Sequence, residues 1–365
     1  MKAPFPWFGG KSTVADLVWR RFGDVTNYVE PFFGSGAVLL DRPPFTGTET
    51  VNDKDGLLAN FWRAVQHDPE TVAHWADWPV NENDLHARHI WLLGKKDDLP
   101  RMLDADPDYF DAKVAGWWVW GICSWIGSGW CSGNGPWRVV DRKLVNVRKL
   151  PHLGDAGQGI NRQRPHLGDA GQGINRKRPH LGNAGQGINR QLPHLGNAGQ
   201  GINRQLPHLG NAGRGEYLIQ TFQELADRLR NVRVCCGDWT RVMGESVTSK
   251  HGMTGVFLDP PYADTADRSE NLYREDCLSV AHDVREWAIA NGDNPLLRIA
   301  LCGYEGEHEM PSSWAVEAWK AKGGYGSQGE TTGRDNAGRE RIWFSPHCLR
   351  LQTHEEVSLF GESVA

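Results

Sequence analysis

Apolar and polar positions alternate between two kinds of pattern along this chain, short apolar runs that end at acids or glycines and longer amphipathic stretches. The run Val256, Phe257, Leu258 stops at Asp259, Pro260, Pro261 and Tyr262, which reads as a buried strand ended by two prolines. Neither proline can donate a ladder hydrogen bond or continue a central strand, so the chain turns there and leaves Asp259 at the carboxyl edge of a sheet. The segment Asn27 to Leu40 reads as strand, glycine turn and helix, with Gly34 and Gly36 letting backbone approach a ligand. Thr50 and Val51 form a short strand that delivers Asp53, and a helix begins near Leu57. Asn231 to Trp239 is an apolar strand ending in Gly237, Asp238 and Trp239. Ser279 to Asn291 is amphipathic, and Leu296 to Cys302 and Glu340 to Ser345 are two further strands. Strands alternating with helices in this way predict an α/β fold around a mostly parallel sheet.

The middle of the chain breaks the pattern twice. Gly116 to Trp130 holds five tryptophans, Trp117, Trp118, Trp120, Trp125 and Trp130, with only Ile, Val, Gly, Ser and Cys between, and its reading divides in two. A helix with Trp117, Trp120 and Ser124 on one face, buried against the rest, is the favoured one, because tryptophans usually pack. Gly127 to Gly135 reads as an exposed loop, from which Trp130 and Trp137 are the better candidates for contacting unstacked bases.

From Pro151 a unit of period 14 restarts at Pro165, Pro179, Pro193 and Pro207. Each full unit carries three glycines and few large apolar residues, which argues against a helix and leaves a thin glycine-rich solenoid or a mobile loop. The array is basic: Arg162, Arg164, Arg176, Lys177, Arg178, Arg190, Arg204 and Arg214 outweigh Asp155 and Asp169, in a chain of formal net charge -5. One arginine and one histidine per unit at fixed spacing could follow a phosphate backbone. The histidines at 152, 166, 180, 194 and 208 have no acid or cysteine at ligand spacing, so no metal site is expected.

Seven cysteines without a C-x-x-C pair argue for reduced thiols. No run of about 18 apolar residues occurs, and the expectation is a soluble, cytoplasmic protein without a membrane partner. Oligomeric state is not legible.

Candidate chemistry centres on Asp259 to Tyr262. An aromatic amine is a poor nucleophile because its lone pair is delocalised into the ring. The Asp259 carboxylate and Pro260 carbonyl together offer two acceptors to its hydrogens, and Tyr262 offers a flat face for a base. The bland reading is an ordinary strand-ending turn. Asp53 stands roughly 20 residues beyond the glycine turn, the spacing at which an acid commonly meets ribose hydroxyls. Its competing reading is a surface acid, since Asp55 is better placed to cap the helix near Leu57.

Three blocks in order, Trp7 to Lys11, Glu30 to Gly36 and Asp259 to Tyr262, resemble the Dam-like family of DNA N6-adenine methyltransferases. The resemblance covers roughly residues 4 to 64 and 216 to 350. It implies a doubly wound, Rossmann-like α/β catalytic domain over 1–64 and 216–365, an inserted target-recognition region over 65–150 and the repeat array over 151–215. It implies S-adenosylmethionine as methyl donor and double-stranded DNA as partner. Trp7, Lys11, Glu30, Pro31, Phe32, Gly34, Gly36, Asp53 and Asp238 would line the cofactor pocket, and Asp259 would stand between cofactor and target amine. A polar lid over 263–276 would cover the target base, which would be flipped from the duplex. Methylation of cytosine N4 or RNA adenine, and a catalytically silent nucleic-acid-binding protein, are the alternatives. The target sequence does not carry over.

Overall fold

A computed structural model describes residues 1–7, 9–125, 129–132, 137–140, 143–146, 215–262, 279–319 and 338–351. The repeat array, the segment 263–276 and the side chain of Trp137 lie outside the described residues.

The chain opens with helix α1 (Ala15–Phe22), strand β1 (Asn27–Glu30), the short helix α2 (Ala37–Leu40), strand β2 (Thr48–Asp53) and helix α3 (Gly56–His67). Four helices follow: α4 (Pro69–Ala76), α5 (Glu82–Leu93), α6 (Leu99–Ala105) and α7 (Ala112–Ser124). A separate antiparallel pair, β3 (Trp137–Val140) and β4 (Lys143–Asn146), precedes α8 (Gly215–Leu229). The remainder is β5 (Val232–Cys236), β6 (Thr254–Leu258), α9 (Val280–Asn291), β7 (Leu297–Tyr304), β8 (Ala315–Ala318) and β9 (Glu340–Phe344).

The main sheet has seven strands in the order β5-β2-β1-β6-β7-β9-β8. Its pairs are parallel from β5 through β7, while β9 is antiparallel to both β7 and β8. The chain therefore builds outward from β1 to one side and from β6 to the other. A sheet of this kind is consistent with a methyltransferase fold, and the crevice at the carboxyl ends of β1 and β6 is a topological switch point, where open α/β sheets bind ligands.

Alternation along the strands divides the core into two layers, as a period of 2 requires. Tyr28, Phe257, Ala300 and Cys302 pack with Val18 and Phe22 of α1 and Phe61 and Trp62 of α3. Their neighbours Val29, Val256, Leu258, Ile299 and Leu301 pack on the other face with Val284 and Ala288 of α9 and with Trp239 and Val242. Each large side chain so buried contributes about 1.5–3 kcal/mol. The boundary expected at residue 64 falls inside α3, and the helices beyond it share the first layer: Val72, Ala73, Val114, Trp118, Leu218 and Phe222 all belong to that cluster. Phe5 inserts there too, with its ring 5.3 Å from Phe61, 5.7 Å from Trp62 and 5.1 Å from Trp118. That plug fixes the direction in which Trp7 and Lys11 leave the core.

Asp55 caps α3 by accepting from the Leu57 amide at 2.9 Å, as the sequence suggested. Asp111 caps α7 in the same way and exchanges two hydrogen bonds with Asn60 of α3, which docks one helix on the other. The bland reading of the tryptophan run holds: Trp118 and Trp120 are fully buried, Trp120 donates to the Trp78 carbonyl, and Trp117 packs edge-on against Trp75 and Trp91. Trp130 is not an exposed loop residue. It donates to the Trp118 carbonyl at 3.1 Å and lies on Gly121, where an added Cβ would stand 1.8 Å from its ring. The described cysteines are free thiols, and among the described residues no helix is long and apolar enough to cross a membrane.

One buried ion triad ties the chain on either side of the array together. Glu49 of β2 receives Arg42 at 3.1 Å and a bidentate Arg228, from α8, at 2.7 and 2.8 Å. Glu49→Ala would leave two guanidiniums without their carboxylate and should cost about 3–5 kcal/mol. Urea unfolding with an unchanged slope and a lowered midpoint checks this.

Burial holds the His89 and His308 imidazoles down at about 4. The unfolded chain takes up those protons near its ordinary value of 6.5. Both histidines therefore withdraw stability as the pH falls from about 6.5 towards 4. Their ring resonances should show neutral imidazole until that lower range in an NMR titration.

Candidate active site at the carboxyl edge of the sheet

Three strand ends are tied into one floor. Asn52 of β2 is buried, and its side-chain amide donates to the Pro31 carbonyl at 3.1 Å and to the Gly237 carbonyl at 3.0 Å. The Phe33 amide donates to the Asn52 carbonyl, and the Gly237 amide to the Asp53 carbonyl. The loops after β1, β2 and β5 are therefore hydrogen-bonded to one another. No motif pointed to Asn52; its neighbour Asp53 drew attention by spacing alone.

Gly34 shows why the turn after β1 needs glycine. Its φ is +49°, and a Cβ there would stand 2.6 Å from Nε1 of Trp7. Its carbonyl accepts from Trp62 at 3.0 Å, and its amide donates to Oδ2 of Asp53 at 3.0 Å. The other Asp53 oxygen accepts from the Asp55 amide at 2.9 Å. Two backbone amides thus aim the carboxylate, and an ionised carboxylate with about four acceptor sites keeps capacity for a ligand.

Glu30 ends β1, is buried, and accepts from the Tyr28 hydroxyl at 2.8 Å. Burial raises its pKa well above the usual carboxylate range, with the Tyr28 hydrogen bond opposing and the Asp259 charge adding. Phe32 stacks on Trp239 with ring centroids 6.2 Å apart. Asp238, exposed at the rim, caps the 3-10 turn Trp239–Val242 by accepting from the Thr240 amide and hydroxyl.

Across the crevice stands Asp259 at the end of β6. Lys11, only 4 % exposed, places its Nζ 2.9 Å from Asp259 Oδ1, 2.8 Å from the Gly9 carbonyl and 3.3 Å from the Tyr262 hydroxyl. Burial raises the Asp259 pKa and the Lys11 ammonium opposes that rise. The Asp259 side chain is 18 % exposed. Pro260 is buried and Pro261 half-buried.

Tyr262 departs from expectation. Its ring is 4 % exposed and meets Tyr304 edge-on at 4.4 Å, so the flat face expected for a base is covered. The cause is its hydroxyl, drawn inward between Lys11 and Glu340, which accepts it at 2.5 Å. Glu340 carried no motif signal; the sequence showed only an apolar strand beginning there.

These strand ends enclose a cavity of about 250 Å3. Of the residues expected in a cofactor pocket, Trp7, Lys11, Glu30, Pro31, Phe32, Gly34, Asp53, Asp238 and Asp259 line it, together with Trp239 and Pro261. Gly36, Pro260 and Tyr262 are not in its lining; Gly36 instead starts α2 at φ +67°. The wall that sequence reasoning missed comes from the tryptophan run, with Trp118, Ile122, Trp125 and Trp130 facing the cavity. Spacing i, i+4, i+7 marks that helix face, adjacent to the Trp117–Trp120–Ser124 face singled out from the sequence. No cluster of metal ligands occurs among the described residues.

Residues 7–86 match the family model described as D12 class N6 adenine-specific DNA methyltransferase. A DNA N-6-adenine-methyltransferase of Escherichia phage P1 is 31% identical over 102 residues, which is 27% of this chain and 13% of that protein. Both matches are to adenine-specific DNA methyltransferases, and this chain is similar to them over part of its length, spanning 13% of the phage protein. The family model spans the Lys11 and glycine-turn blocks and stops before Asp259.

Lys11→Met should leave burial unopposed at Asp259 and opposed only by the Tyr262 hydrogen bond at Glu340, whose pKa burial also raises against Lys11. Their protonated-carboxyl infrared band should then persist to higher pH than in the parent protein. Because a raised carboxyl pKa adds stability only while the proton is held, the variant should lose stability more steeply as pH rises through the carboxyl range.

Proposed function

We propose, on the premise that the chain belongs with the Dam-like DNA N6-adenine methyltransferases, that it transfers a methyl group from S-adenosylmethionine to N6 of an adenine flipped out of double-stranded DNA. The observation that carries the reading is the buried Lys11–Asp259 pair, which brings the first and last of the three motif blocks into one cavity at the switch point of the sheet.

The residues present suit the cofactor. Asp53 lines the cavity with its carboxylate already aimed by two amides, a fit for ribose hydroxyls. The Phe32–Trp239 pair beside Asp238 gives a purine apolar faces and a polar rim. Gly34 leaves the space that a Cβ would take beside Trp7. When bound, S-adenosylmethionine supplies an electrophilic methyl group on a sulfonium centre.

In this reading Asp259 and the Pro260 carbonyl accept the two N6 hydrogens and orient the amine. Lys11 favours the Asp259 carboxylate over its acid, so that the group accepts rather than donates. Acceleration then comes mainly from positioning and from excluding water, because the neutral amine already carries its lone pair. Stacking of the base on Tyr262 belongs to the DNA-bound state and requires the present cover of that ring to move. Target recognition is assigned to residues within 65–150, and phosphate contact to the arginines of the array.

Incubation with radiolabelled S-adenosylmethionine and unmodified duplex DNA, followed by digestion to nucleosides, should place the label in N6-methyldeoxyadenosine. Asp259→Ala should lower that rate by at least roughly 100-fold, as removal of one preorganised polar group from a reaction centre does, while DNA affinity is largely kept. Label in methylcytosine or only with RNA overturns the substrate; absence of any thermal shift with S-adenosylmethionine overturns the enzyme in favour of a binding protein.

A further inference from the structure

Because β9 runs antiparallel to the strands beside it, it presents its first residue, not its last, at the edge where the parallel strands end. Glu340 is that first residue, paired in register with Tyr304, the last of β7. A carboxylate at this strand position does nothing for the ladder, and at 5 % exposure it carries a desolvation cost that an apolar residue would avoid. What it does touch is Tyr262, through the 2.5 Å contact with the tyrosine hydroxyl.

Hydrogen-bond direction fixes the rest. An ammonium only donates, so across 3.3 Å the Tyr262 oxygen accepts from Lys11. The single tyrosine proton is then given to Glu340, which when ionised can only accept. The chain of donors runs one way, from Lys11 through Tyr262 to Glu340, while the same ammonium lies 2.9 Å from Asp259 Oδ1 as an ion pair and donates to the Gly9 carbonyl at 2.8 Å. The environment reinforces this: the Trp319 amide donates to the Glu340 carbonyl at 3.2 Å, and the Trp319 ring lies 5.4 Å from Lys11 Nζ.

We propose that Glu340 is a positioning residue for methyl transfer: by taking the Tyr262 proton it turns the tyrosine oxygen towards Lys11 and so sets the ammonium on Asp259. The proposal rests on the methyltransferase reading above. Without Glu340 the tyrosine proton turns to another acceptor, and the carboxylate paired with the ammonium that the tyrosine accepts from is Asp259, whose lone pairs the target amine needs. Glu340 acts at a distance from the reacting atoms, so its loss spoils geometry at the amine and leaves the cofactor's ribose and purine contacts intact.

The test uses the full chain, with Glu340→Gln, Glu340→Asp, Tyr262→Phe and the Tyr262→Phe/Glu340→Gln double variant, each assayed for label transfer, S-adenosylmethionine affinity and melting. Glu340→Gln is expected to lower kcat by roughly 10- to 100-fold, the scale of a small misplacement at a reacting centre, with cofactor affinity changed less than about 3-fold, a split that marks loss in the transition state alone. In the Tyr262→Phe background the same substitution should add nothing, since the route through the hydroxyl is already cut. Full additivity of the two losses, or an unchanged kcat in Glu340→Gln, overturns the proposal. Melting of both Glu340 variants far enough to account for the lost rate makes the residue structural and overturns it as well. An inactive parent protein overturns the underlying reading, and is told apart because it fails before any substitution is made.

Discussion

A lysine ammonium in a protein interior costs several kcal/mol of desolvation unless charge and acceptors surround it, and removing one partner of such a pair is expensive. Lys11 satisfies that constraint with groups from distant parts of the chain: Gly9 beside it, Asp259 at the end of β6, and Tyr262 three residues further on. The amino-terminal segment cannot leave the sheet edge without stranding both the ammonium and the Asp259 carboxylate. That pairing spans 248 positions of sequence, so the candidate site forms only when the sheet is complete; it is an outcome of the fold rather than of a local motif.

Packing and polar satisfaction cooperate to hold this geometry. Phe5 is driven among Phe61, Trp62 and Trp118 by burial, which brings Lys11 within reach of Asp259. Asn52 then binds the ends of β1 and β5 to β2 through the Pro31 and Gly237 carbonyls. Directional bonds fix the loops and non-directional burial fixes the elements, and each is weak at what the other does. Even the Asp53 carboxylate is oriented by amides of its own loops, before any ligand arrives.

The legible parts of this structure were those governed by local rules. Asp55 as helix cap, the strand into Asp259 and the glycine turn each follow from chain stereochemistry over a few residues. Glu340, Asn52 and the cavity wall formed by Trp118, Ile122 and Trp125 were not legible, because each owes its role to a partner far away in sequence. Periodicity showed that the tryptophan helix was buried, but a helix that is apolar on every side does not reveal which face meets a cavity. The cover over Tyr262 was hidden for a related reason: a motif names the aromatic ring, whereas its burial was decided by a hydroxyl seeking Lys11 and Glu340. The boundary at residue 64 followed the motif blocks and not the core, which runs on through α4 and α7.

Charge is divided along the chain in a way that bears on the proposed reaction. Apart from the buried Glu30, whose charge burial disfavours, the cavity lining holds Asp53, Asp55, Asp238 and Asp259 against Lys11 and Lys54, an excess of acids that favours a cationic ligand and disfavours a polyanion. A sulfonium cofactor fits that field, whereas a DNA backbone approaching the same crevice would be repelled. The proposed reaction needs both within reach of each other, so phosphate neutralisation has to come from another part of the molecule. The sequence concentrates arginine between Arg162 and Arg214, outside the strands that carry the acids. Under that division the neutral base is the only part of the nucleic acid admitted to the acidic cavity, which is the electrostatic condition for flipping it there rather than drawing in the duplex itself.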